Sequence, residues 1–307
     1  MASTTVALRR SQTARRIRRA VTAYLFLAPA IILIAVFTLL PFGEGILLSF
    51  QSWDGVARDT PFVGLSNYSA VIANNVFWAS LGNALIFGLI GFVVGNVLAL
   101  AMALLVNNKG RTATFFRIIF YQPNILSVVV VAMLFDWLLA PKIGIVNRAL
   151  ALIGATALQH NWLSDPGTAL PAVASAYVWH YWGFAFLLFL AGLQGIPAEL
   201  HEAAAIDGAG TWQRFRHITW PQLTPVTTIV GILTLLYALQ IFATVQLMTD
   251  GGPGWHTEVP TLLIYKEGFQ FNRFGTAAAM SVVFGAILML LSLVQIWLNK
   301  RFGAEVQ

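Results

Sequence analysis

Six long stretches of this sequence contain no aspartate, glutamate, lysine or arginine, and each of them holds an apolar core of spanning length. A helix that crosses a lipid bilayer needs about 20 largely apolar residues. Only 10% of the residues are charged, whereas soluble domains have about 25%, so the chain could not cover a surface that faces water. The pattern predicts an all-α membrane protein with six transmembrane helices. The charge-free stretches are residues 20–43, 60–108, 118–135, 166–198, 217–249 and 274–299.

The predicted helices lie near residues 22–43, 79–106, 117–139, 169–193, 222–248 and 276–299. The 60–108 gap is too long for one helix. Its first part is polar and rich in turn formers such as Gly64 and Asn74, which favours an external loop over an additional span. A short interfacial helix is expected in that loop around Tyr68–Ile72. The first apolar run continues through Leu40, beyond the roughly 7–15 residues of a signal-peptide core, which favours a retained helix.

Lysine and arginine are unevenly divided between the segments that join the spans. With the N-terminus inside, the cytoplasmic segments carry 13 of the 18 and the outer loops carry 5. Cytoplasmic loops of membrane proteins have an excess of these residues, so both termini are predicted to be cytoplasmic. Residues 1–20 form a basic tail with six arginines, and residues 21–307 form the transmembrane domain. Because this tail accounts for most of the net charge of +6, no nucleic acid is expected as a partner.

The longest polar segment between two apolar stretches in the C-terminal half runs from Glu202 to Pro225, with the sequence EAAAIDGAGTWQRFRHITWPQLTP. Residues 197–221, which we call the coupling loop, contain most of it. Pro197 is placed to begin a short helix, and Gly208 is placed to end it as a glycine C-cap. Thr211 is expected to cap a second short helix whose apolar side is Trp212, Phe215 and Ile218. Pro221 is expected to break that helix before the next span.

The loop resembles the cytoplasmic signature loop, the EAA motif, of permease subunits in binding-protein-dependent ABC importers. The matching residues are Glu202, Ala203, Ala204, Asp207, Gly208, Ala209, Phe215, Ile218, Pro221 and Pro225. Further segments are similar to the sugar-type permeases of the maltose and glycerol-phosphate importers, although that class commonly has glycine where Asp250 stands here. These segments are Gly144–Asn147, Asn161–Pro166, Leu193–Pro197, Leu247–Pro253 and Phe274–Ala279.

The resemblance implies a type I ABC importer permease fold in the cytoplasmic membrane of a bacterial-type cell. It implies four kinds of partner besides the lipid bilayer: a second permease subunit that forms a heterodimer, a dimer of ATPase subunits, an extracytoplasmic substrate-binding protein, and a sugar. The coupling helix would carry Glu202, Ala203, Ala204, Asp207, Gly208, Ala209, Phe215, Ile218 and Pro221 into the ATPase. ATP and magnesium would bind there and no cofactor would bind this chain, which is not expected to be an enzyme and has no Gly-x-x-x-x-Gly-Lys-Ser/Thr loop.

Polar and aromatic side chains inside the spans are candidates for the solute path, since polar groups in a membrane usually face a bundle interior or a cavity. Tyr177, Tyr181 and Phe184 share one face of the fourth span. Thr234, Tyr237 and Gln240 recur at three-residue steps in the fifth span, and Ser127 lies in the third. The resemblance places the same positions along the sugar site of maltose-type permeases. Helix packing is the alternative for each of them.

Other chemistries have weaker support in the sequence. The five histidines lie apart, at positions without ligand spacing, so no metal site is predicted, and no catalytic residue is predicted either. His180 is interpreted as a hydrogen-bonded histidine at a helix interface, with a proton relay as the alternative. Two alternatives for function remain: a permease of this architecture that carries a glycerol-phosphate-like or other small polar solute, and a secondary transporter not coupled to ATP, which would be expected to have intramembrane carboxylates.

Overall fold

The computed structural model describes residues 22, 24–107 and 110–302 of the chain. The basic tail predicted for residues 1–20 lies outside the described residues. In the described part the secondary structure is helical, apart from an isolated β-bridge between Gln51 and Phe62. The prediction of an all-α chain is confirmed.

In the part of the chain that the structure describes, we number twelve helices in order, leaving aside a 3-10 turn at Thr156–Leu158 and a π-helical turn at Lys266–Gln270. They are α1 (Tyr24–Leu48), α2 (Ser66–Ala73), α3 (Asn75–Leu105), α4 (Arg111–Ile125), α5 (Val128–Leu138), α6 (Ile145–Leu152), α7 (Ala169–Gln194), α8 (Ala198–Ile206), α9 (Thr211–Leu239), α10 (Ala243–Met248), α11 (Pro260–Tyr265) and α12 (Phe274–Phe302). Five of them, α1, α3, α7, α9 and α12, are long and apolar enough to cross a membrane. The pair α4 and α5 makes a sixth span if it is counted as one broken crossing.

The third span is broken, contrary to the prediction of one continuous helix over 117–139. Its two parts meet at 96°. Pro123 is buried near the end of α4, where its ring removes a backbone donor from the helix. The chain then becomes extended at Leu126 and Ser127, and the Ser127 hydroxyl caps the new helix by accepting a hydrogen bond from the Val129 backbone N–H at 3.3 Å.

The fifth span also differs from its predicted limits of 222–248. Helix α9 already begins at Thr211 in the coupling loop and ends at Leu239, and a separate short helix, α10, follows from Ala243. The short helix expected around Tyr68–Ile72 is present as α2, where the Tyr68 hydroxyl lies 2.6 Å from the hydroxyl of Ser49.

The described helices pack around α7. In its most apolar window 61% of the residues are buried, whereas the corresponding window of α1 has none. The faces of α7 contact α3, α4, α5, α9 and α10. The two larger hydrophobic clusters both include residues of this helix, from Leu170 to Val178 in one and from Ala185 to Leu193 in the other. Helix α7 is therefore the scaffold that holds the candidate site residues in place.

Candidate functional site

The first half of the coupling loop is a helix with a well-formed end. Helix α8 begins after Pro197, which is its N-cap residue. Gly208 has a φ of +79°, and its N–H donates to the carbonyl of Ala205 at 3.1 Å. The N–H of Ala209 donates to the carbonyl of Ala204 at 2.8 Å. This pair of hydrogen bonds is a Schellman motif, which satisfies the last carbonyls of the helix and favours glycine at the left-handed position.

The second half of the loop differs from the prediction in two respects. The cap of α9 is Gly210 rather than Thr211, and its N–H donates to the Gln213 side chain at 2.8 Å. Pro221 does not break the helix. It follows a π-helical turn at Phe215–Thr219 and stands in the first turn of the regular helix after it, where a missing N–H is tolerated. The loop therefore passes without interruption into the fifth span.

The loop presents its side chains to solvent. Glu202, Ala203, Asp207, Gly208 and Pro221 are exposed. Four other predicted docking residues are partly buried, namely Ala204, Ala209, Phe215 and Ile218. The ring of Phe215 lies between those of Trp212 and Trp220, with centroids 5.5 Å and 6.3 Å away. Ala204, Asp207, Gly208, Ala209 and Ile218 line one open surface, so the structure brings these five predicted coupling residues together.

Ile206 and Trp212 are candidate anchors of this surface. Their exposed fractions are 87% and 68%. Large apolar residues that remain exposed beside small ones are typical of the centre of a protein interface. Ile206 was not predicted as a site residue, because an isoleucine in a helix is expected to be buried. Its position next to the alanines and Asp207 of the loop would have indicated otherwise, and the helix that carries it has no buried residue.

The predicted solute-path residues of the fourth and fifth spans also lie together. The ring centroids of Tyr177 and Tyr181 are 4.8 Å apart, and Tyr181 stacks on Tyr237 at 6.0 Å. Phe184 meets Tyr237 edge to face at 6.4 Å. The Tyr177 hydroxyl donates to the Thr234 carbonyl at 3.3 Å. We refer to Tyr177, Tyr181, Phe184, Thr234 and Tyr237 as the tyrosine cluster.

The tyrosine cluster is closed on its inner side and open on its outer side. The cavity that it encloses with Asn96 has a volume of about 20 Å³, which is room for about one water molecule. Asn96 was missed by sequence reasoning. Its side-chain oxygen accepts a hydrogen bond from the Thr234 hydroxyl at 3.1 Å, a contact across 138 residues. Tyr237 is 48% exposed, and Gln240 is exposed a turn further on. A sugar could therefore contact only the outer side of the cluster.

Two remaining candidates lie at the break in the third span. Ser127 is exposed at the start of α5 and makes no contact that joins it to the tyrosine cluster. His180 is 7% exposed, and its Nε2 lies 2.9 Å from the carbonyl oxygen of Leu126. The interpretation of His180 as a hydrogen-bonded residue at a helix interface is confirmed.

A buried ion pair lies in the segment between α10 and α12 and was not predicted from the sequence. The Lys266 Nζ atom is 2.8 Å from Glu258 Oε2 and donates to the Asp250 carbonyl at 2.8 Å. The two side chains are 7% and 0% exposed. Burial raises the pKa of the Glu258 carboxyl, and the hydrogen bond from Lys266 opposes that shift. A glutamate and a lysine eight residues apart in the sequence do not indicate that either side chain is buried.

The geometry is that of a multi-pass membrane protein in which an exposed helical loop continues directly into a span. The chain belongs to the family of binding-protein-dependent transport system inner membrane components, whose pattern matches residues 95–304. It is therefore a membrane component of a transport system.

Relatives and solved structures agree with this assignment. The multiple sugar-binding transport system permease protein MsmF of Streptococcus mutans is 33% identical over 94% of this chain and 99% of its own length. The sn-glycerol-3-phosphate transport system permease protein UgpA of Yersinia pestis is 33% identical over 91% of this chain and 94% of its own length. The fold is that of a permease chain in the crystal structure of a bacterial ABC transporter involved in the import of the acidic polysaccharide alginate. The TM-score is 0.83 and the identity 24%, and the match covers 95% of this chain and 100% of that one.

Proposed function

We propose that this chain is one permease subunit of an ATP-driven importer that carries a mono-, di- or oligosaccharide across the cytoplasmic membrane. It pairs with a second permease subunit. A dimer of ATPase subunits, which binds ATP and magnesium, docks on the coupling loop, and an extracytoplasmic binding protein delivers the sugar. The relationship to MsmF, a protein named for multiple sugar binding, carries this proposal.

The coupling loop supports the docking role. Glu202 and Asp207 are exposed, and no ion pair engages them among the side chains that the structure describes. Ile206 and Trp212 add exposed apolar area on the same surface. Since α9 begins in this loop and runs for 29 residues into the fifth span, a movement imposed on the loop reaches the tyrosine cluster through one continuous helix. The 13 lysines and arginines assigned to the cytoplasmic segments support an inside location of the loop and of both termini.

The tyrosine cluster supports a sugar as the cargo. Aromatic faces pack against the C–H surfaces of sugars, and amide or hydroxyl groups such as those of Gln240 and Ser127 match the hydroxyls of a sugar. Because the cluster is closed towards the chain interior, the sugar passes along its exposed side, between this chain and its partner subunit.

The relationship to UgpA favours a second candidate, a glycerol-phosphate-like solute. A phosphate carries charge that needs cationic or multiple N–H donors. The predicted path residues are all uncharged, so a phosphorylated solute would require its cations from the partner subunit.

Uptake by the reconstituted complex tests the proposal. The two permeases, the ATPase and the binding protein are placed in liposomes with ATP on the ATPase side, and radiolabelled maltose, trehalose, raffinose and sn-glycerol 3-phosphate are compared. We expect uptake of at least one sugar that stops without ATP or without binding protein. Uptake that continues without ATP would overturn the ABC assignment, and uptake of the phosphate ester alone would replace the sugar by the second candidate.

A further inference from the structure

The helical backbone is interrupted at two places that we call breaks, and a predicted solute-path residue lies at each. The third span breaks between Ile125 and Val128, at Ser127, and the helix of the fifth span ends at Leu239, so that Gln240 lies between it and α10, which begins at Ala243. Irregular backbone at membrane depth leaves carbonyl and N–H groups without helix partners. It is tolerated only where it is buried in protein or lines an aqueous cavity.

In the third span, helix α7 holds the break. Leu126 is extended, and its carbonyl receives a hydrogen bond from His180 Nε2 at 2.9 Å. A carbonyl only accepts, so Nε2 carries the proton. One turn further along α7, a Cβ on Gly183 would lie 3.0 Å from the Phe120 carbonyl and 3.3 Å from the Cα of Tyr121. The backbone of α4 therefore rests directly on α7 where the break begins.

In the fifth span, helix α11 holds the break in a similar way. The chain leaves the helix at Gln240, and the carbonyl of Ile241 accepts a hydrogen bond from the Thr261 hydroxyl at 2.6 Å. At each break, a carbonyl outside the regular helix accepts a hydrogen bond from a side chain of another helix. Neither side chain is explained by the motif that identifies the coupling loop.

The two breaks are parts of one structure. The outer segments that follow them, α5 and α10, pack against each other. Ala132 of α5 and Val245 of α10 belong to the same hydrophobic cluster as Leu239 and Ile241 at the second break. Ser127 and Gln240, whose side chains are exposed, therefore lie beside two helices, α5 and α10, that pack against each other.

We propose that His180 and Thr261 are positioning residues for transport: they hold the two breaks so that Ser127 and Gln240 are presented to the solute. The proposal rests on the proposed function, because it takes the exposed side of the fourth and fifth spans as the solute path. It assigns no proton transfer to His180, whose ring acts as a donor to the backbone.

The first test compares two pairs of variants in the assembled complex. His180→Leu and Thr261→Val remove the donor, while His180→Gln and Thr261→Ser keep one at a similar distance from the backbone. Interhelical hydrogen bonds in membranes are modest, so we expect the first pair to lower sugar uptake by about three- to tenfold and the second pair to restore most of it. Thr227→Val is the matched control, since the Thr227 hydroxyl donates within its own helix, to Leu223.

The second test measures the positions of the presented residues and needs no sugar. The chain contains no cysteine, so Ser127→Cys or Gln240→Cys gives it a single thiol, and a maleimide-polyethylene glycol reagent shifts only labelled chains on a gel. We expect both thiols to label in the assembled complex. His180→Leu should change the labelling rate at position 127 at least threefold, and Thr261→Val should do the same at position 240, whereas Thr227→Val should change neither.

Three results would overturn the positioning role. The first is full uptake by His180→Leu and Thr261→Val. The second is reduced uptake with labelling rates unchanged, and the third is a loss of uptake that His180→Gln and Thr261→Ser fail to restore. If the wild-type complex transports no sugar, the proposed function fails, while the labelling measurements still decide whether these residues position the breaks.

Discussion

The loop in which α9 begins and the loop after α10 differ in whether their charged side chains are buried and paired. The charged-pair loop, residues 249–273, buries Lys266 and Glu258 against each other at 2.8 Å. The coupling loop, residues 197–221, leaves Glu202 and Asp207 exposed, with no ion pair to any side chain in the described part of the chain. The charges of one loop are paired within the chain, and the other loop is the one proposed to dock a partner.

The turn in the charged-pair loop is also held by contacts within the chain. Asp250, Gly251 and Trp255 all have positive φ values, and a Cβ on Gly251 would collide with the Glu258 carboxylate. The Asn83 side chain of α3 donates to the Glu258 carbonyl at 2.9 Å. In the coupling loop, by contrast, a Cβ on Gly208 would meet open space. Substitutions should therefore act on stability in the first loop and on coupling in the second.

The largest expected effect is from Lys266→Met. It leaves the Glu258 carboxylate buried without its partner, which costs about 3–5 kcal/mol, and the purified complex should lose thermal stability accordingly. The double variant Lys266→Met with Glu258→Leu replaces the pair by apolar groups and should recover most of that loss. Lys142→Met is the control, because Lys142 is exposed and such changes stay within about 0.5 kcal/mol. Equal stability of Lys266→Met and the control would remove the contrast between the two loops.

Next in size is Gly208→Leu in the coupling loop. A leucine in the left-handed conformation costs the chain only about 1–2 kcal/mol, but its side chain points into the space that the ATPase is proposed to fill. We expect a loss of about 2 kcal/mol in docking, or roughly 30-fold in affinity. The check is ATPase co-purification together with uptake per ATP hydrolysed. Gly208→Ala bears a similar backbone cost but adds only a methyl group, so it should couple nearly as well as wild type, and normal coupling in both variants would contradict the docking role.

The coupling loop could be anticipated from the sequence because its structure is local. Proline before a helix and glycine after it act through the backbone of their immediate neighbours, and α8 begins and ends at those two residues. The error at Pro221 has a local cause of another kind. A π-helical turn at Phe215–Thr219 accommodates the proline, and such a turn leaves no recognisable pattern in the sequence.

The sequence predicted which residues of the candidate site share a face of one helix, but not which residues of different helices meet. Helical spacing put Tyr177 with Tyr181, and Thr234 with Tyr237, but it could not give the stacking of Tyr181 on Tyr237 or the hydrogen bond from Thr234 to Asn96. The 96° bend in the third span was missed for a related reason. Proline often sits inside a membrane helix without breaking it, and the carbonyl at this break is bonded by His180, more than fifty residues away in the sequence.

Tyr237→Ala tests whether the exposed tyrosine of the cluster contacts the solute, as the coupling loop is proposed to contact a partner. Tyr237 is 48% exposed, whereas Tyr177 is 2% exposed. Loss of one aromatic face is worth about 0.5–1.5 kcal/mol, so uptake by Tyr237→Ala should fall about two- to tenfold while thermal stability changes little. Tyr177→Phe removes only the hydrogen bond to Thr234 and should lower stability by about 1 kcal/mol with uptake preserved. If Tyr237→Ala lowered stability and Tyr177→Phe lowered uptake, the exposed side of the cluster would be a packing surface.

The smallest effect is a pH dependence confined to the charged-pair loop. The pKa of Glu258 is raised above its ordinary value of 4.5, chiefly by burial. The folded chain therefore binds this proton more tightly than the unfolded chain. The stability that the bound proton contributes is full below pH 4.5 and is lost as the pH rises through the raised pKa.

Glu258→Gln keeps an acceptor for Lys266 but does not titrate. Its thermal stability relative to wild type should thus be higher at pH 7.5 than at pH 4.5. Glu202→Gln, in the exposed coupling loop, should show no such change. A pH-independent difference between Glu258→Gln and wild type would mean that the ion pair with Lys266, rather than burial, controls the carboxylate, and that the two loops differ less than their burial indicates.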